Sequence, residues 1–389
     1  MALGAVGSTT LLVTLFTGIL IGMGAGVNVR VAHELGAGNK KGTEETIHTS
    51  LLLCAITGLL VCAICLLFSG RMLSMMNTKP ELIDQAILYM KIYSLGMPAM
   101  AVYNFGNGVL SAIGDTKRPL IYLSIAGVVN VLLNLFFVIV CHMAAAGVAT
   151  ASAISLYISA SLVMIHLLRR TDDCKVSLRK IRLHPKACKA VLMLGIPTGL
   201  QNGIFAIANL FVQTGVNSFD AVMVSGNAAA ANADSLIYNV MFSFYTACAS
   251  FIGQNWGAGN KKRMLKSYKV SLTYAFIFGA IWVDYSLYLA HSFFLCSLRN
   301  QQLLMLVCRG FVLWHSAMRL AVLWMAVSPH PEASEKVFRL PLSLSWAPAY
   351  FVLSGFIQYL HISRRFHHCI FCISSHGELQ DLQKLCFLL

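Results

Sequence analysis

The sequence predicts an all-α membrane protein, a polytopic helical bundle built as two parallel-repeat lobes. Three observations predict it: a mean hydropathy of +0.71, a charged fraction of only 11% among 389 residues, and a six-residue motif that occurs twice. Soluble domains carry roughly 25% charged residues. At about 20 apolar residues per membrane helix, the chain is long enough for roughly ten to twelve helices.

Apolar runs separated by polar breaks predict eight membrane spans. These spans lie near 4–33, 46–68, 85–112, 119–141, 145–168, 190–219, 224–254 and 266–297. None combines a short apolar core with a basic start and a small-residue cleavage site, which a signal peptide would need. The first span is therefore expected to remain in the mature chain.

Basic residues cluster in alternate loops, which predicts an orientation in the membrane. The four basic loops are 34–45, 113–119, 169–189 and 257–265, and the third alone carries eight Lys and Arg residues. The positive-inside rule places such loops in the cytoplasm. The net charge of +14 is thus interpreted as a topology signal, and no nucleic-acid partner is expected. Met1 then lies outside without a basic anchor, so we expect a further helix to precede this sequence.

An internal repeat relates the two halves of the chain. The motif Gly-Ala-Gly-Asn-Lys-Lys begins at Gly36 and again at Gly257, a shift of 221 residues, and Gly58 recurs at the same shift as Gly279. Six predicted spans separate the two copies, and an even number returns the chain to the same side of the membrane. The repeats are therefore predicted to be parallel, as in secondary transporters whose halves rock about a midplane site.

Further motifs follow one another in a characteristic order. They are Gly114-Asp115-Thr116-Lys117-Arg118-Pro119 after a helix with Pro98, the pair Asn130 and Asn134, and Gly195-Ile196-Pro197 at the start of the second half. With the two repeat motifs, this order resembles the multidrug and toxic compound extrusion (MATE) family, over residues 1 to about 284. The resemblance implies twelve helices in two lobes of the cell membrane, and export of amphipathic, often cationic compounds in exchange for sodium or protons.

The function predicted is therefore that of an ion-coupled antiporter with small-molecule substrates, working as a monomer within the lipid bilayer. No cofactor is expected besides the coupling ion. No Ser/His/Asp arrangement or phosphate-cradling loop is found, so an enzyme is not predicted. The pair Cys369 and Cys372, beside His367 and His368, lacks a second pair at zinc-finger spacing, so no metal site is predicted.

Polar residues within the spans are candidates for the substrate and cation cavity. Asp234 lies inside an apolar span, where a charge costs roughly 2.5–3.5 kcal/mol on insertion scales, and Tyr238 is four residues further on the same helix face. The helix that opens at Pro197 adds the amides Gln201, Asn202, Asn209 and Gln213. Such amides either line an aqueous cavity or join helices by hydrogen bonds, and Asp234 could equally be a structural acid.

The resemblance places Asn130, Asn134 and Ser152 at the positions of an amino-lobe cation site. Their oxygens suit a hard cation such as sodium, whereas helix-to-helix bonding is the structural alternative. Because proline removes a backbone donor and can bend a helix, Pro98, Asn104 and Pro197 are predicted to form helix bends or a gate.

The sequence departs from the family pattern at both ends, since the first helix is absent and the tail diverges. The expected domains are an amino-terminal lobe lacking its first helix (1–168), a basic linker (169–189), the start of a second lobe (190–297) and a divergent tail (298–389). The 221-residue shift predicts a copy of the Gly114 loop at 335–340, but the residues there are Glu-Lys-Val-Phe-Arg-Leu. A frame disruption or a divergent lobe would explain this. The alternatives for the function are a flippase of lipid-linked saccharides and a truncated, transport-inactive membrane protein.

Overall fold

The computed structural model describes residues 2–76, 80–216, 239–240, 242–271, 273–274, 277–278 and 281, and all regular structure within them is helical. The helices are α1 (Ala2–Gly36), α2 (Lys40–Met75), α3 (Pro80–Ser94), α4 (Met97–Ile113), α5 (Lys117–Leu135, continued by a π-helical turn Phe136–Val140), α6 (Ala144–Arg169) and α7 (Pro185–Val216), with a short 3-10 turn at Leu178–Lys180. Two further helices cover 242–257 (α8) and 261–271 (α9). The predicted all-α class is confirmed.

Four of the described helices are long and apolar enough to cross a membrane. They are Val6–Gly36, Lys40–Met75, Lys117–Val140 and Ala144–Arg169. Helix α5 shows why a bilayer is needed, because Leu120, Val128 and Leu132 are 60–64% exposed along its surface. Contiguous apolar surface of this kind is rare on soluble monomers. The chain is a multi-pass membrane protein.

The structure corrects the expected single span near 85–112. Two helices, α3 and α4, occupy this region, separated by a turn at Leu95 and Gly96, and they do not pack side by side. Pro98 lies in the first turn of α4, where its missing N–H removes no helical hydrogen bond. Pro98 therefore opens a helix after a break in the span, instead of bending a continuous helix.

Helix α1 is the centre of the packing and contacts α2, α4 and α7. Its side chains Val27 and Val31 are fully buried. Small residues bring α1 and α7 together: a Cβ added at Gly26 would lie 2.7 Å from the backbone nitrogen of Gly195, and one added at Gly22 would collide with Gly199. Close approach of backbones through small residues is typical of membrane helix pairs.

The two repeat copies have the same backbone conformation. In both, a glycine with positive φ follows the helix, Gly38 at 64° and Gly259 at 70°, a conformation that glycine adopts without steric strain. The backbone hydrogen bonds also recur at the 221-residue shift. The bond from Ala37 to His33 is matched by that from Ala258 to Gln254, both at 3.0 Å, and the bond from Lys40 to Gly38 by that from Lys261 to Gly259, both at 3.2 Å. The bond from Asn39 to Glu34 at 3.1 Å is matched by that from Asn260 to Asn255 at 2.9 Å.

An equivalent asparagine then starts the next helix in each copy. Asn39 Oδ1 accepts a hydrogen bond from the Gly42 N–H at 3.0 Å, and Asn260 Oδ1 accepts one from the Arg263 N–H at 3.0 Å. These are N-cap bonds, which satisfy a backbone donor that has no partner inside the helix. The repeat motif is therefore a helix stop, a glycine turn and a helix start, formed twice.

The two copies meet each other by reciprocal contacts. A Cβ added at Gly36 would collide with the carbonyl of Gln254, and one added at Gly257 would collide with the carbonyl of His33. Gly257 and Gln254 are the equivalents of Gly36 and His33, so the contacts are exchanged, as a two-fold axis requires. The equivalent residues Ala32 and Gly253 lie beside this axis, since a Cβ at Gly253 would be 3.0 Å from that of Ala32. The predicted parallel arrangement is confirmed for these copies.

Candidate functional site

Specific polar contacts join the two halves of the chain where both are described. Ser250 Oγ of α8 donates a hydrogen bond to Asn28 Oδ1 of α1 at 2.9 Å, and both residues are buried. Gln254 Nε2 donates to the Ala112 carbonyl at the end of α4, at 2.6 Å. These bonds and the glycine contacts join α8 to the first lobe. Within the described part of the chain, this surface is thus closely packed but held by few directional bonds.

A buried charged cluster lies at the end of α1, where the two copies meet. Glu34 is 4% exposed, forms an ion pair with Arg30 one turn earlier and accepts a hydrogen bond from Asn39 Nδ2 at 2.8 Å. The His33 ring packs edge-on against Trp256 of α8, with centroids 5.2 Å apart. Sequence reasoning missed this cluster, although the spacing of Arg30 and Glu34 is that of an i, i+4 helix pair.

The three residues predicted for the amino-lobe cation site lie together between α5 and α6. Asn134 Nδ2 donates to Asn130 Oδ1 at 3.0 Å, and Asn130 Nδ2 lies 3.5 Å from Ser152 Oγ. Among the described residues, the buried Asn134 Oδ1 has no hydrogen-bond partner. A buried oxygen without a donor is unfavourable, and a cation ligand position would explain it.

Of the residues predicted to bend or gate helices, Asn104 and the part of α7 around Pro197 lie against α1, whereas Pro98 lies against Gly58 of α2. Asn104 Nδ2 donates to the Met100 carbonyl within α4 at 3.0 Å, and the Asn104 backbone leaves no room for a Cβ at Gly24. Pro197 lies inside α7 between Gly195 and Gly199, which both contact α1. Proline cannot donate to the carbonyl four residues earlier, so α7 lacks one backbone bond where it meets α1. The gate itself stays a prediction.

The predicted substrate cavity is described only in part. Asp234 and Tyr238 lie outside the described residues, as does the side chain of Gln213. Asn202 Nδ2 donates to the Gly18 carbonyl of α1 at 3.1 Å, so this amide joins two helices. Gln201 is partly exposed and Asn209 exposed. The amides of α7 therefore do not act alike, and the lining of a cavity by Gln201 and Asn209 stays a prediction.

The four basic loops lie at one end of the bundle. The copies at 34–45 and 257–265 contact each other, and Lys40 Nζ lies 3.4 Å from Asp173 Oδ2 of the linker. Arg118 Nη1 lies 3.1 Å from His166 Nε2 near the end of α6, which brings loop 113–119 to the same end. The predicted common side of these loops is confirmed, and the positive-inside rule assigns it to the cytoplasm.

Repeated helical lobes, apolar spans and basic loops at one end define the class of protein as a polytopic secondary-transporter-like membrane protein. The MatE family profile matches residues 1–136 and 197–309. The chain belongs to this family, that of the MATE transporters. The match extends to residue 309, beyond residue 284, where we expected the resemblance to end.

Relatives of known description agree with this family. The chain is similar to the probable multidrug resistance protein YpnP of Bacillus subtilis, with 30% identity over 267 residues, 68% of this chain and 59% of the relative. It is also similar to a FAD transporter of Shewanella oneidensis, with 24% identity over 300 residues, 75% of this chain and 65% of the relative. Neither is described as a saccharide flippase, so that alternative is not favoured. The chain spans less than two thirds of either relative.

A solved structure shows the same fold. It is the outward-facing conformation of a multidrug resistance MATE family transporter, with a TM-score of 0.75 and 19% identity, covering 93% of this chain and 87% of the other. At this identity the likeness concerns the fold alone.

Proposed function

We propose that this chain is an ion-coupled antiporter that exports amphipathic, cationic compounds by alternating access between its two lobes. The observation that carries the proposal is the reciprocal contact of the two repeat copies at the basic end, where Gly36 meets Gln254 and Gly257 meets His33. A two-fold contact at one end closes that end, and separation of the same surfaces opens it. The conformation described here then corresponds to the state closed towards the cytoplasm.

The contacts between the lobes suit a surface that opens and closes. Opening breaks the bonds from Ser250 to Asn28 and from Gln254 to the Ala112 carbonyl, each worth about 1 kcal/mol net. The glycine contacts are short-range and are lost together on a small displacement. A state difference of a few kcal/mol is in the range that ligand and ion binding can reverse.

For the coupling ion, we propose sodium at Asn130, Asn134 and Ser152. All three offer neutral oxygens, which are ligands of hard cations, whereas proton coupling at this position would need an acid. The hydrogen bonds among them hold the oxygens within one cluster. Asp234 is proposed as the charged group of the substrate cavity, where a carboxylate favours cationic substrates.

The substrate proposal is tested by ethidium efflux from cells that express the chain. Asp234→Asn should abolish efflux while leaving expression and membrane insertion unchanged, because it removes the charge without removing volume. Asp84→Asn is the matched control, since Asp84 is an exposed acid of α3 that forms no ion pair with any described residue. Unchanged efflux in Asp234→Asn would make this residue a structural acid. Absence of efflux from the unaltered chain would favour the transport-inactive alternative.

The ion proposal is tested by melting the purified chain in sodium or choline chloride at equal ionic strength. Sodium should raise the melting temperature of the unaltered chain and have no such effect on Asn134→Leu. Ser124→Ala, a change at an exposed polar position of the same helix, should keep the sodium effect. If the sodium effect is absent from the unaltered chain, or survives in Asn134→Leu, the cluster is not the coupling site.

A further inference from the structure

The linker between α6 and α7 is a loop held firmly against the bundle. Two of its side chains are buried, Cys174 at 2% and Val176 at 1% exposure, and the Val176 N–H donates to the Leu167 carbonyl of α6 at 3.1 Å. Asp172 receives hydrogen bonds from the Arg170 guanidinium, which lower the pKa of its carboxyl. The first part of the linker is therefore anchored to the end of α6.

The second part of the linker is anchored to the start of α2. The Ser177 N–H donates to His48 Nε2 at 2.9 Å, Thr49 Oγ1 donates to the Arg182 carbonyl at 3.1 Å, and the His184 N–H donates to Thr49 Oγ1 at 3.1 Å. His48 and Thr49 are themselves buried. With the backbone held on both sides of 178–183, the side chains between these bonds are presented at fixed positions.

Two exposed leucines flank exposed basic side chains on the outer surface of this segment. Leu178 is 66% and Leu183 51% exposed, and Arg179 and Arg182 beside them are also exposed. The other aliphatic residues of the loop, Val176 and Ile181, are buried or half-buried, so exposure of the two leucines is not general to the loop. Exposed leucines among basic residues are typical of segments that lie in the membrane interface.

The acids near the linker are already paired, whereas much of its positive charge is not. Glu44 pairs with Lys180, Asp172 with Arg170 and Asp173 with Lys40. By contrast, the basic residues of the outer surface form no ion pair with any residue in the described ranges: Arg179, Arg182, Lys186 and Lys189. These four exposed cations can therefore attract an anion.

We propose that this linker surface, formed by Leu178, Arg179, Arg182, Leu183 and Lys186, binds anionic phospholipids of the cytoplasmic leaflet. It lies at the cytoplasmic ends of the spans, where anionic headgroups attract juxtamembrane basic residues. The two leucines enter the interfacial layer and the basic side chains contact lipid phosphates. Arg179 and Arg182 also border a cavity of about 340 Å³ between the linker and α2, which Glu44 and Glu45 line as well, so lipid phosphates are expected at its outer rim and not inside it. Because the linker joins the lobes, bound lipid holds the hinge between them at the membrane surface.

Native mass spectrometry of the purified full-length chain tests the proposal, with equal amounts of phosphatidylglycerol and phosphatidylcholine in the detergent. The chain should retain phosphatidylglycerol preferentially. In Arg179→Gln/Arg182→Gln retention should fall by about twenty-five-fold, since each basic residue near an anionic surface contributes roughly fivefold. Lys261→Gln/Lys262→Gln is the control, because it removes the same charge from exposed residues on the same face that have no exposed leucine between them, and it should have a much smaller effect.

Three outcomes would overturn the proposal. They are equal retention of the two lipids by the unaltered chain, an equal effect of the two charge variants, and displacement of the lipid by inorganic phosphate, which would indicate a soluble anion. A second variant, Leu178→Ser/Leu183→Ser, keeps every charge. It should weaken association of the linker with phosphatidylglycerol vesicles, measured with an environment-sensitive dye placed at Ser177→Cys, while melting as the unaltered chain does. If the dye responds to the vesicles as strongly in this variant as in the chain with both leucines, the leucines do not contribute to lipid binding.

Discussion

The two copies of the repeat have the same backbone but different charge. Around Gly36 and around Gly257 the helix stop, the glycine turn and the asparagine cap are equal within 0.2 Å in their hydrogen-bond lengths. Yet the ion pair between the half-buried Arg30 and the buried Glu34 of the first copy is replaced by Phe251 and Asn255 in the second. Asn255 Nδ2 donates to the Phe251 carbonyl within its own helix, at 2.7 Å.

This difference shows which features the turn itself needs. Glycine in the left-handed region and an N-cap side chain are required by local geometry, so they are present in both copies. The charged pair is not required by the turn and belongs to one lobe alone. The acids of α2 that pair with the linker also belong to one lobe alone, because Glu44 and Glu45 of the first copy correspond to Leu265 and Lys266 of the second. The scaffold is symmetric, and the electrostatics are not.

The largest expected effect on stability comes from removing one partner of the ion pair between Arg30 and Glu34. Glu34→Asn should destabilise the detergent-solubilised chain by about 3 kcal/mol, because it leaves the partly buried Arg30 and the Asn39 amide without their partner. Arg30→Phe/Glu34→Asn copies the second repeat and should recover most of this loss. The measurement is the midpoint of chemical unfolding. If the double variant is as unstable as the single one, the two copies are not interchangeable.

The reciprocal glycines should give equal, slightly smaller effects. Gly36→Ala and Gly257→Ala each push a methyl group into a carbonyl of the other copy and should each destabilise the chain by about 2 kcal/mol. Gly127→Ala is the control, since a Cβ there meets nothing within 4 Å, and it should be neutral or slightly stabilising. Melting temperatures measure all three. A strong effect of one glycine and none of the other would argue against the two-fold contact.

The N-cap residues should distinguish the copies by a smaller amount. Asn260→Ala removes one cap and should destabilise by about 1 kcal/mol. Asn39→Ala should cost about twice as much, because Asn39 also donates to the buried Glu34. The comparison is made by melting under identical conditions. Equal losses of stability would mean that the bond from Asn39 to Glu34 adds nothing. In that case Asn39→Ala should lower the melting temperature by the same amount in the Arg30→Phe/Glu34→Asn background as in the unaltered chain.

The smallest effect concerns reactivity and not stability. Burial raises the pKa of the Cys174 thiol to about 12, so this thiol stays protonated at pH 8 although it lies in a loop. It should react with maleimide far more slowly than a cysteine introduced by Leu178→Cys on the exposed side of the linker. Mass spectrometry of time-resolved labelling measures both rates. Rapid labelling of Cys174 would show that the linker is not anchored to the first lobe.

Much of this architecture was predictable because it depends on local patterns. Apolar runs, basic loops and the repeat motif predicted the helical class, the common side of the loops and the parallel copies. Family resemblance placed Asn130, Asn134 and Ser152 at one site, and the structure brings these three residues together. The break at Leu95 and Gly96 was missed because a following proline is compatible with either a kink or a helix start.

Other parts of the site depend on contacts across the fold, which a single sequence does not contain. Neither the packing of Trp256 on His33 nor the bond from Gln254 to the Ala112 carbonyl follows from any periodicity. The anchoring of the linker on His48 and Thr49 joins residues about 130 positions apart, and no local motif indicates it. Such contacts are set by how whole helices pack.

A disulfide across the two-fold axis tests the central claim most directly. Ala32→Cys/Gly253→Cys places the two Cβ atoms near the 3.5–4.5 Å that a disulfide needs, since the present separation is 3.0 Å for an ideal Cβ. After mild oxidation the exposed linker is cut with trypsin, and the halves are run on a non-reducing gel. Joined halves that separate only after reduction, absent from both single variants, are the predicted result. Halves that separate without reduction would contradict the contact between the two copies.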